Sequence, residues 1–296
     1  LVRGARGRPE EMSHKNNGAR FFTQKCGFGF MRAAAIINIA TLLAILGLIF
    51  VESLPALSWE FLTEPPRNMM SEGGIWPCLV GTFFLSAGAP AVPIGVASAV
   101  YLHEYGGSSA WVTLTRLSIA NLAGVPSIVF GLFGLTFFVV FCGFDVSLLS
   151  GILTLSVLSL PVIINTTEAA LSQVPQDWRE ASLALRAPRR GPIMKVVLPN
   201  ALPGILTGAI LALSRVAGET AAIMYTGSVY FTPKTGVSLF EPVMALPYHV
   251  YVMATSGTNI EATRPLQYGT ALVLVALVLV MSLAAILLRE RRRSQF

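Results

Sequence analysis

The chain has 296 residues, 54% of them hydrophobic and only 12% charged, with a mean hydropathy of +0.67 and a formal net charge of +6. Such a balance exceeds what a soluble globular domain carries, so a water-soluble enzyme is excluded and a membrane protein is indicated. The positive charge then reports topology and attraction to anionic lipid, and nothing in it points to nucleic acid.

In chain order, the first Met is Met12, behind the Gly- and Arg-rich stretch LVRGARGRPEE, and whether residues 1 to 11 are native is left open. Residues 1 to about 20 are expected to be disordered. The first apolar run is too long, and lacks a small-residue cleavage site, to be a removed signal peptide, so it is expected to remain as a helix. A membrane-spanning helix needs about 20 mostly apolar residues. Six runs qualify: approximately Ala33 to Leu54, Ile75 to Leu102, Leu122 to Cys142, Leu148 to Thr166, Leu202 to Thr226 and Tyr268 to Leu288. They are continuous rather than alternating, which favours helices over a barrel. The resulting expectation is an all-α polytopic protein. It has a tail over residues 1–32, a six-helix domain over 33–288 with long loops at about 167–201 and 227–267, and a basic tail over 289–296.

Orientation follows from the basic residues, which favour cytoplasmic loops. With both termini inside, all of the 21 Lys and Arg except Arg67, Lys234, Arg264 and the intramembrane Arg215 fall on the cytoplasmic side. The stretch SLFEPVMALPYHVYVMATSG (238–257) tempts as a seventh span. Pro242, Pro247, Glu241 and His249 interrupt it, and a further crossing would put the C-terminal arginines outside, so it is read as an outer-face segment, partly helical, in the interface.

No soluble piece is long enough for a core of its own, and neither a phosphate-binding loop nor a nucleophile elbow occurs. Energy for any transport therefore comes from an ion gradient or from another chain. Cys26, Cys78 and Cys142 lack metal-ligand spacing and read as packing residues; no metal is expected, and a Cys78–Cys142 bridge is conceivable but not expected.

Two places carry charge where function needs it. In LALSRVAGET (211–220), a helix through Gly204, Gly208, Ala212, Arg215 and Glu219 would gather them within an arc of about 80°, one small-and-charged face. Two readings stay open: a structural i, i+4 ion pair, or part of a translocation pathway in which Arg215 meets an anion and Glu219 positions it or balances its charge. Counted from Pro203, Arg215 is expected about 18 Å along the helix, near mid-membrane. The second place is residues 166 to 204, long and charged, with an amphipathic helix expected around Trp178 to Leu185 and ended by Pro188, Gly191 and Pro192. Taken alone, it reads equally as a basic loop tethered to lipid headgroups.

In that loop EAS (180–182) and, after a gap, VVLP (196–199) match the E-A-A-x3-G-x9-I-x-L-P pattern of ABC-importer permeases. Together with LSWEFLTEPPRN (57–68), YLHEYG (101–106), NLAGVPSIVFGLFGL (121–135) and LPGILTGAILALSRVAGETA (202–221), it makes the chain resemble phosphate ABC-transporter permeases of the PstA type, from about residue 30 to 290. The resemblance implies a MetI-like, six-helix permease in the bacterial inner membrane that moves inorganic phosphate. It implies four further things about partners: a second, homologous permease subunit as heterodimer partner, two copies of a cytoplasmic ATPase, an extracytoplasmic phosphate-binding protein, and surrounding lipid. No cofactor is expected on this chain, because ATP and Mg are used by the ATPase, and the chain itself is not an enzyme. Glu180, Ala181, Ser182, Leu185 and Arg186 fall in the coupling loop, with Glu180 facing a basic residue of the ATPase, and Arg215, Glu219 and Thr220 are the pathway residues. Glu104 and Asn121, near helix ends, receive interfacial or docking roles. The family glycine of the loop motif is Arg186 here, which cannot take positive φ as cheaply, so the turn is displaced toward Gly191 or the docking surface differs. The alternatives are a permease for another oxyanion, molybdate or sulfate, and a gradient-driven secondary transporter, which would leave the coupling loop without a task.

Overall fold

The computed structural model describes residues 17 to 70, 72 to 88, 91 to 107, 109 to 184, 190 to 232, 237 to 256 and 260 to 293. Two compact units divide the chain after Val51. The first is carried by α1 (Asn17–Ser53), whose stretch Gln24–Ser53 has a hydropathy of 2.6 and no buried position in its most apolar window. Phe28, Phe30, Ile36, Ile37, Leu42 and Leu43 all stand exposed, the surface a helix shows to hydrocarbon.

The second unit opens with α2 (Trp59–Thr63), where Ser58 accepts the Phe61 N–H, and a short hairpin pairing Pro66–Arg67 with Glu72–Gly73. α3 (Trp76–Ala87) and α4 (Ala91–Val100) form one apolar stretch, Trp76–Tyr105, that ends in a π-helical turn over Tyr101–Tyr105. α5 (Ala110–Ala123) and α6 (Ser127–Gly134, continued to Phe141 as π-helix) meet at a 104° bend. The third expected span, drawn straight from Leu122 to Cys142, is therefore a bent pair that begins twelve residues earlier, at Ala110. Its corner is Gly124-Val125-Pro126, where Gly124 closes α5 and Pro126, lacking an N–H, starts α6.

α7 (Leu148–Ser172), α8 (Gln176–Ala184), a turn α9 (Arg190–Pro192) leading through π-helical Ile193–Val197 into α10 (Leu198–Ala217), α11 (Leu246–Ser256) and α12 (Ile260–Arg293) complete the chain. Counting the bent pair as one, six stretches among the described residues are long and apolar enough to cross a membrane, as composition leads one to expect. Their bounds differ at the fifth. The apolar stretch starts at Arg190 and stops at Ala217, so Pro192 lies in the first turn of a helix instead of ending one, and residues 218 to 226 are not a continuation of α10.

α7 is the axis of this unit. Ser150, Thr154, Ser156, Ser159 and Thr167 on it are buried, and all but Thr167 hand their hydroxyl protons to backbone carbonyls of α7 or, for Ser150, to Asp145 O. Such internal satisfaction lets polar residues face helices instead of lipid. One core gathers Leu155, Leu158, Phe130, Val216 and Ile223; a second gathers Phe61, Ile75, Cys78, Met244 and Val252. α10 and α12 are cross-tied twice, Ser214 Oγ to Ser282 Oγ at 2.8 Å and Arg289 Nη1 to Thr207 Oγ1 at 2.9 Å, the ties seven positions apart on each helix. The cysteines are free, and Cys78 is fully buried.

The segment after α10 is irregular but not peripheral. Ala222, Ile223 and Thr226 are buried, Ser228 bridges to Val243 in parallel, and the backbone hydrogen bonds return to Ile223, Gly227 and Val243. Non-helical backbone is tolerated inside a membrane protein where protein covers it. α11 follows, within the stretch 238–257 read from the sequence as an outer-face segment. That stretch is partly helical and too short to cross, as expected, yet Leu246, Pro247, His249, Val252 and Met253 are buried. Thr82 Oγ1 of α3 accepts the Leu246 N–H at 2.8 Å, a cap supplied from 164 residues away.

Candidate functional site

The first candidate region is the end of α10. Arg215 occupies its last turn with the side chain exposed, while Glu219 and Thr220 lie beyond the Gly218 cap and are half-buried. The turn is closed by Gly218 N–H to Arg215 O and Glu219 N–H to Val216 O, and Thr220 O accepts the Met224 N–H. Arg215 and Glu219 are thus not one helical turn apart on a common face. No ion pair joins them or uses either among the described residues. From the actual helical start at Arg190, Arg215 is 25 positions on, about 38 Å along the axis, against the about 18 Å counted from Pro203.

The physical setting of this end is informative. A helix C-terminus exposes carbonyls and carries about half a negative charge, which repels an anion; a guanidinium in the last turn offsets that field. Directly behind, Gly131 of α6 sits against Ala221 O and Ala222 Cα, where an added Cβ would lie 2.8 Å and 3.1 Å away. Gly134, one turn on, would meet Thr154 and Thr226. The AGVPSIVFG and RVAGETA stretches, some 90 residues apart in sequence, therefore touch, and glycine is what lets them.

The second region is α8. Asp177 stands in its first turn, where a negative charge suits the helix dipole. Trp178 is 48% exposed and Glu180 is exposed, an outward-facing pair. Ala181 and Ser182 continue the same helix, whereas Leu185 and Arg186 lie outside the described residues, as does the turn expected there. What holds α8 in place is Arg179. Its Nη2 donates to Leu171 O at 2.8 Å, capping the end of α7, and lies 3.1 Å from Glu104 Oε1 at the end of the α4 stretch. The Glu104 contact is close but poorly aligned, an ion pair more than a hydrogen bond. Beside it, Arg116 of α5 reaches Glu168 Oε1 of α7 at 3.1 Å and Leu102 O at 2.9 Å.

Two arginines thus lace the ends of α4, α5, α7 and α8, and a 260 Å³ cavity opens between Glu104, Arg179, Glu180, Ile193 and Val197. α8 is thereby tied to α7 and to the end of the α4 stretch through Glu104 and Arg179, whose side chains are only 11% and 20% exposed. Sequence reasoning named Glu104 as a docking residue but missed Arg179, Arg116 and Glu168, because the partners lie 52 to 75 positions apart and no local periodicity links them.

Comparison with known proteins follows these features. Residues 91–293 match the family model described as binding-protein-dependent transport system inner membrane component. The probable ABC transporter permease protein YqgI of Bacillus subtilis is 34% identical over 90% of this chain and 95% of its own length. A phosphate transport system permease protein PstA of Xylella fastidiosa is 34% identical over 87% of this chain and 93% of its own. PstA 1 of Mycobacterium tuberculosis is 37% identical over 78% and 77%. Among solved structures, a chain of the MetNI methionine ABC transporter in inward-facing conformations aligns with TM-score 0.58, covering 74% of this chain and 94% of that one at 22% identity. A bacterial ABC transporter involved in the import of the acidic polysaccharide alginate aligns with TM-score 0.63 over 92% and 99% at 14% identity. These two share the fold, the MetI-like permease architecture. With two thirds of the chain under one family model and relatives above 30% identity along most of its length, the chain belongs to the inner membrane components of binding-protein-dependent transport systems.

Proposed function

We propose that this chain is the permease subunit of an ATP-driven importer that moves inorganic phosphate across a bacterial inner membrane. The observation that carries the reading is the run of phosphate transport permeases at 33% to 37% identity over 78% to 87% of the chain. The laced end at α8 supports it, since a subunit without catalytic machinery must receive its energy by contact. The chain hydrolyses nothing itself. ATP and Mg belong to a soluble ATPase, two copies of which dock on the α8 side, with Glu180 and Trp178 toward one of them. A second, similar permease completes the pathway, an outer phosphate-binding protein delivers substrate, and both termini lie in the cytoplasm.

In this reading Arg215 supplies the positive charge at the α10 end, where a guanidinium can hold a phosphate oxyanion through two parallel N–H bonds. Thr220 offers a hydroxyl, and Glu219 keeps the site from trapping its anion by offsetting part of the charge. The test is uptake of radiolabelled phosphate at low external concentration, in cells lacking the gene and in the same cells with it restored. Uptake that returns with the gene, persists against excess sulfate and molybdate and collapses on ATP depletion is expected. Arg215→Ala is expected to lower that uptake more than tenfold while the complex still assembles. Restored uptake of molybdate or sulfate instead of phosphate refutes the substrate assignment, and normal transport by Arg215→Ala refutes the role of that residue.

A further inference from the structure

α4 and α10 both rest on α7, and glycines set how closely. Gly95 of α4 faces Ile163, whose Cγ2 an added Cβ would approach to 2.7 Å; Gly204 of α10 faces the Ala170 Cβ at 2.6 Å, and Gly208 faces Thr166. Both helices are drawn down onto α7, and a groove of 770 Å³ remains between them. Its walls are hydrocarbon: Val92, Val96 and Val100 from α4, Leu198, Leu202 and Leu206 from α10. The two helices run antiparallel, since Ala91 packs with Ala212 while Val100 packs with Val197 and Ala201. One end of the groove, at Val92 and Leu206, is therefore wholly apolar. The other end holds the polar side chains of the lining, Tyr101, Tyr105 and Arg190.

That polarity matches one leaflet of a bilayer. From Val92 to Tyr105 the groove follows α4 for about 20 Å at 1.5 Å per residue, the half-thickness of a roughly 30 Å hydrocarbon layer plus the headgroup level. Tyr101 and Tyr105 stack at 6.4 Å between centroids and are 62% and 43% exposed, as aromatic residues stand at a membrane–water boundary. Arg190 is exposed and enters no ion pair among the described residues. A groove that runs from a wholly apolar end to Tyr101, Tyr105 and Arg190 matches the profile of an alkyl chain that carries a charged headgroup.

We propose that this groove is a binding site for an anionic phospholipid of the membrane, one acyl chain lying between α4 and α10 and its phosphate held at Arg190. A basic residue at the mouth of an interhelical crevice is the usual means of recognising such headgroups, and Arg grips phosphate through paired N–H bonds. The lipid wedges α4 apart from the apolar stretch Arg190–Ala217, which carries Arg215 in its last turn, so its departure frees α10 to close on α4.

The experiment reads lipid retained by the intact transporter complex, released from nanodiscs of phosphatidylcholine with phosphatidylglycerol, by native mass spectrometry. Wild type is expected to keep phosphatidylglycerol in preference to phosphatidylcholine, and Arg190→Ala to weaken that preference about fivefold, the worth of one basic residue near an anionic surface. Ala97→Phe, which fills the groove from an exposed position of α4, is expected to lower retention of both lipids; it decides the matter by the same readout should Arg190→Ala fail to assemble. Equal phosphatidylglycerol retention in wild type and Arg190→Ala overturns the proposal. So does its displacement by excess inorganic phosphate, which makes Arg190 a site for the free anion. Capture of the second permease chain, in place of lipid, by a photo-crosslinking residue at Met194 overturns it as well.

Discussion

α7 and α12 are both apolar enough to cross a membrane, yet the more apolar of the two is the less buried. Thr263–Leu287 of α12 has a hydropathy of 2.9 with 6% of its window buried inside the protein; α7 has a hydropathy of 2.0 with 67% buried. In water the order would be reversed. Lipid tails are as apolar as leucine, so burying leucine against another helix gains little, and the interior goes to small and hydroxylated residues that permit close backbones and satisfy one another. α7 buries Ser150, Gly151, Thr154, Ser156, Ser159 and Thr167 among its aliphatic residues; α12 shows Leu279, Val280, Leu283 and Leu287 to the outside. Hydropathy finds the spans in this protein, and its local minima find the interior.

The strongest way to break that contrast is to give α7 what α12 has. Gly151 of α7 faces the Gly227 Cα and the Leu85 Cδ2, at 3.1 Å and 2.8 Å from an added Cβ, and one of these neighbours is backbone. Gly151→Leu is expected to cost about 3 kcal/mol by overpacking and to remove most folded protein from the membrane, read by detergent-resistant assembly on a sizing column. Assembly at wild-type levels would show that α7 is not closely packed there.

Next in size is the polar lacing. Arg179→Ala removes the α7 cap and leaves Glu104, 11% exposed, without its partner, at an expected cost of about 2 kcal/mol. Phosphate uptake is expected to fall at least tenfold while ATPase binding persists. Arg179→Ala combined with Glu104→Gln, which removes the stranded charge, is expected to recover stability but not uptake. Recovery of both would mean that the pair is structural and transmits nothing.

A smaller effect separates the buried short helix from the spans. His249 of α11 is 4% exposed, and burial pushes its imidazole down to about 4, so it stays neutral in the fold while the unfolded chain takes up a proton below its ordinary 6.5. Stability is level above pH 6.5 and falls as the pH drops toward 4, by about 1 kcal/mol at pH 5.5 relative to pH 7.5. The melting midpoint of the reconstituted complex is expected to drop over that interval, and His249→Gln to abolish this share of the drop. An unchanged midpoint in wild type would place His249 in contact with water.

These contrasts also show where sequence reasoning reached its end. The spans were legible because 18 or more apolar residues in a row have few other uses. The bend at Gly124-Val125-Pro126 was not, because α5 carries Arg116 and its weaker apolar character hid half of the bent pair. The end of α10 at Gly218 was hidden for the opposite reason: apolar residues resume at Ala221 and the helical period runs through to Met224, although tertiary contacts with Gly131 take over. Of the site residues, Arg215 and Glu219 announced themselves as charges within an apolar run, and Glu180 through the E-A-A pattern of its loop. Arg179 did not, since its partners Glu104 and Leu171 O come together only once α4, α7 and α8 converge.

The smallest expected effect tests the same contrast from the lipid side. Leu283 of α12 is 57% exposed, and its side chain exchanges contact with lipid for contact with lipid when the protein folds from separately inserted helices. Leu283→Ala is therefore expected to change stability by less than about 1 kcal/mol and to leave uptake unchanged, although the same truncation in a water-soluble core costs about 2 to 5 kcal/mol. A large loss here would have a definite meaning. Because the side chain meets little of its own unit, the cost would come from a helix outside that unit, and the exposed row Leu279, Leu283 and Leu287 would become a protein contact instead of a lipid face.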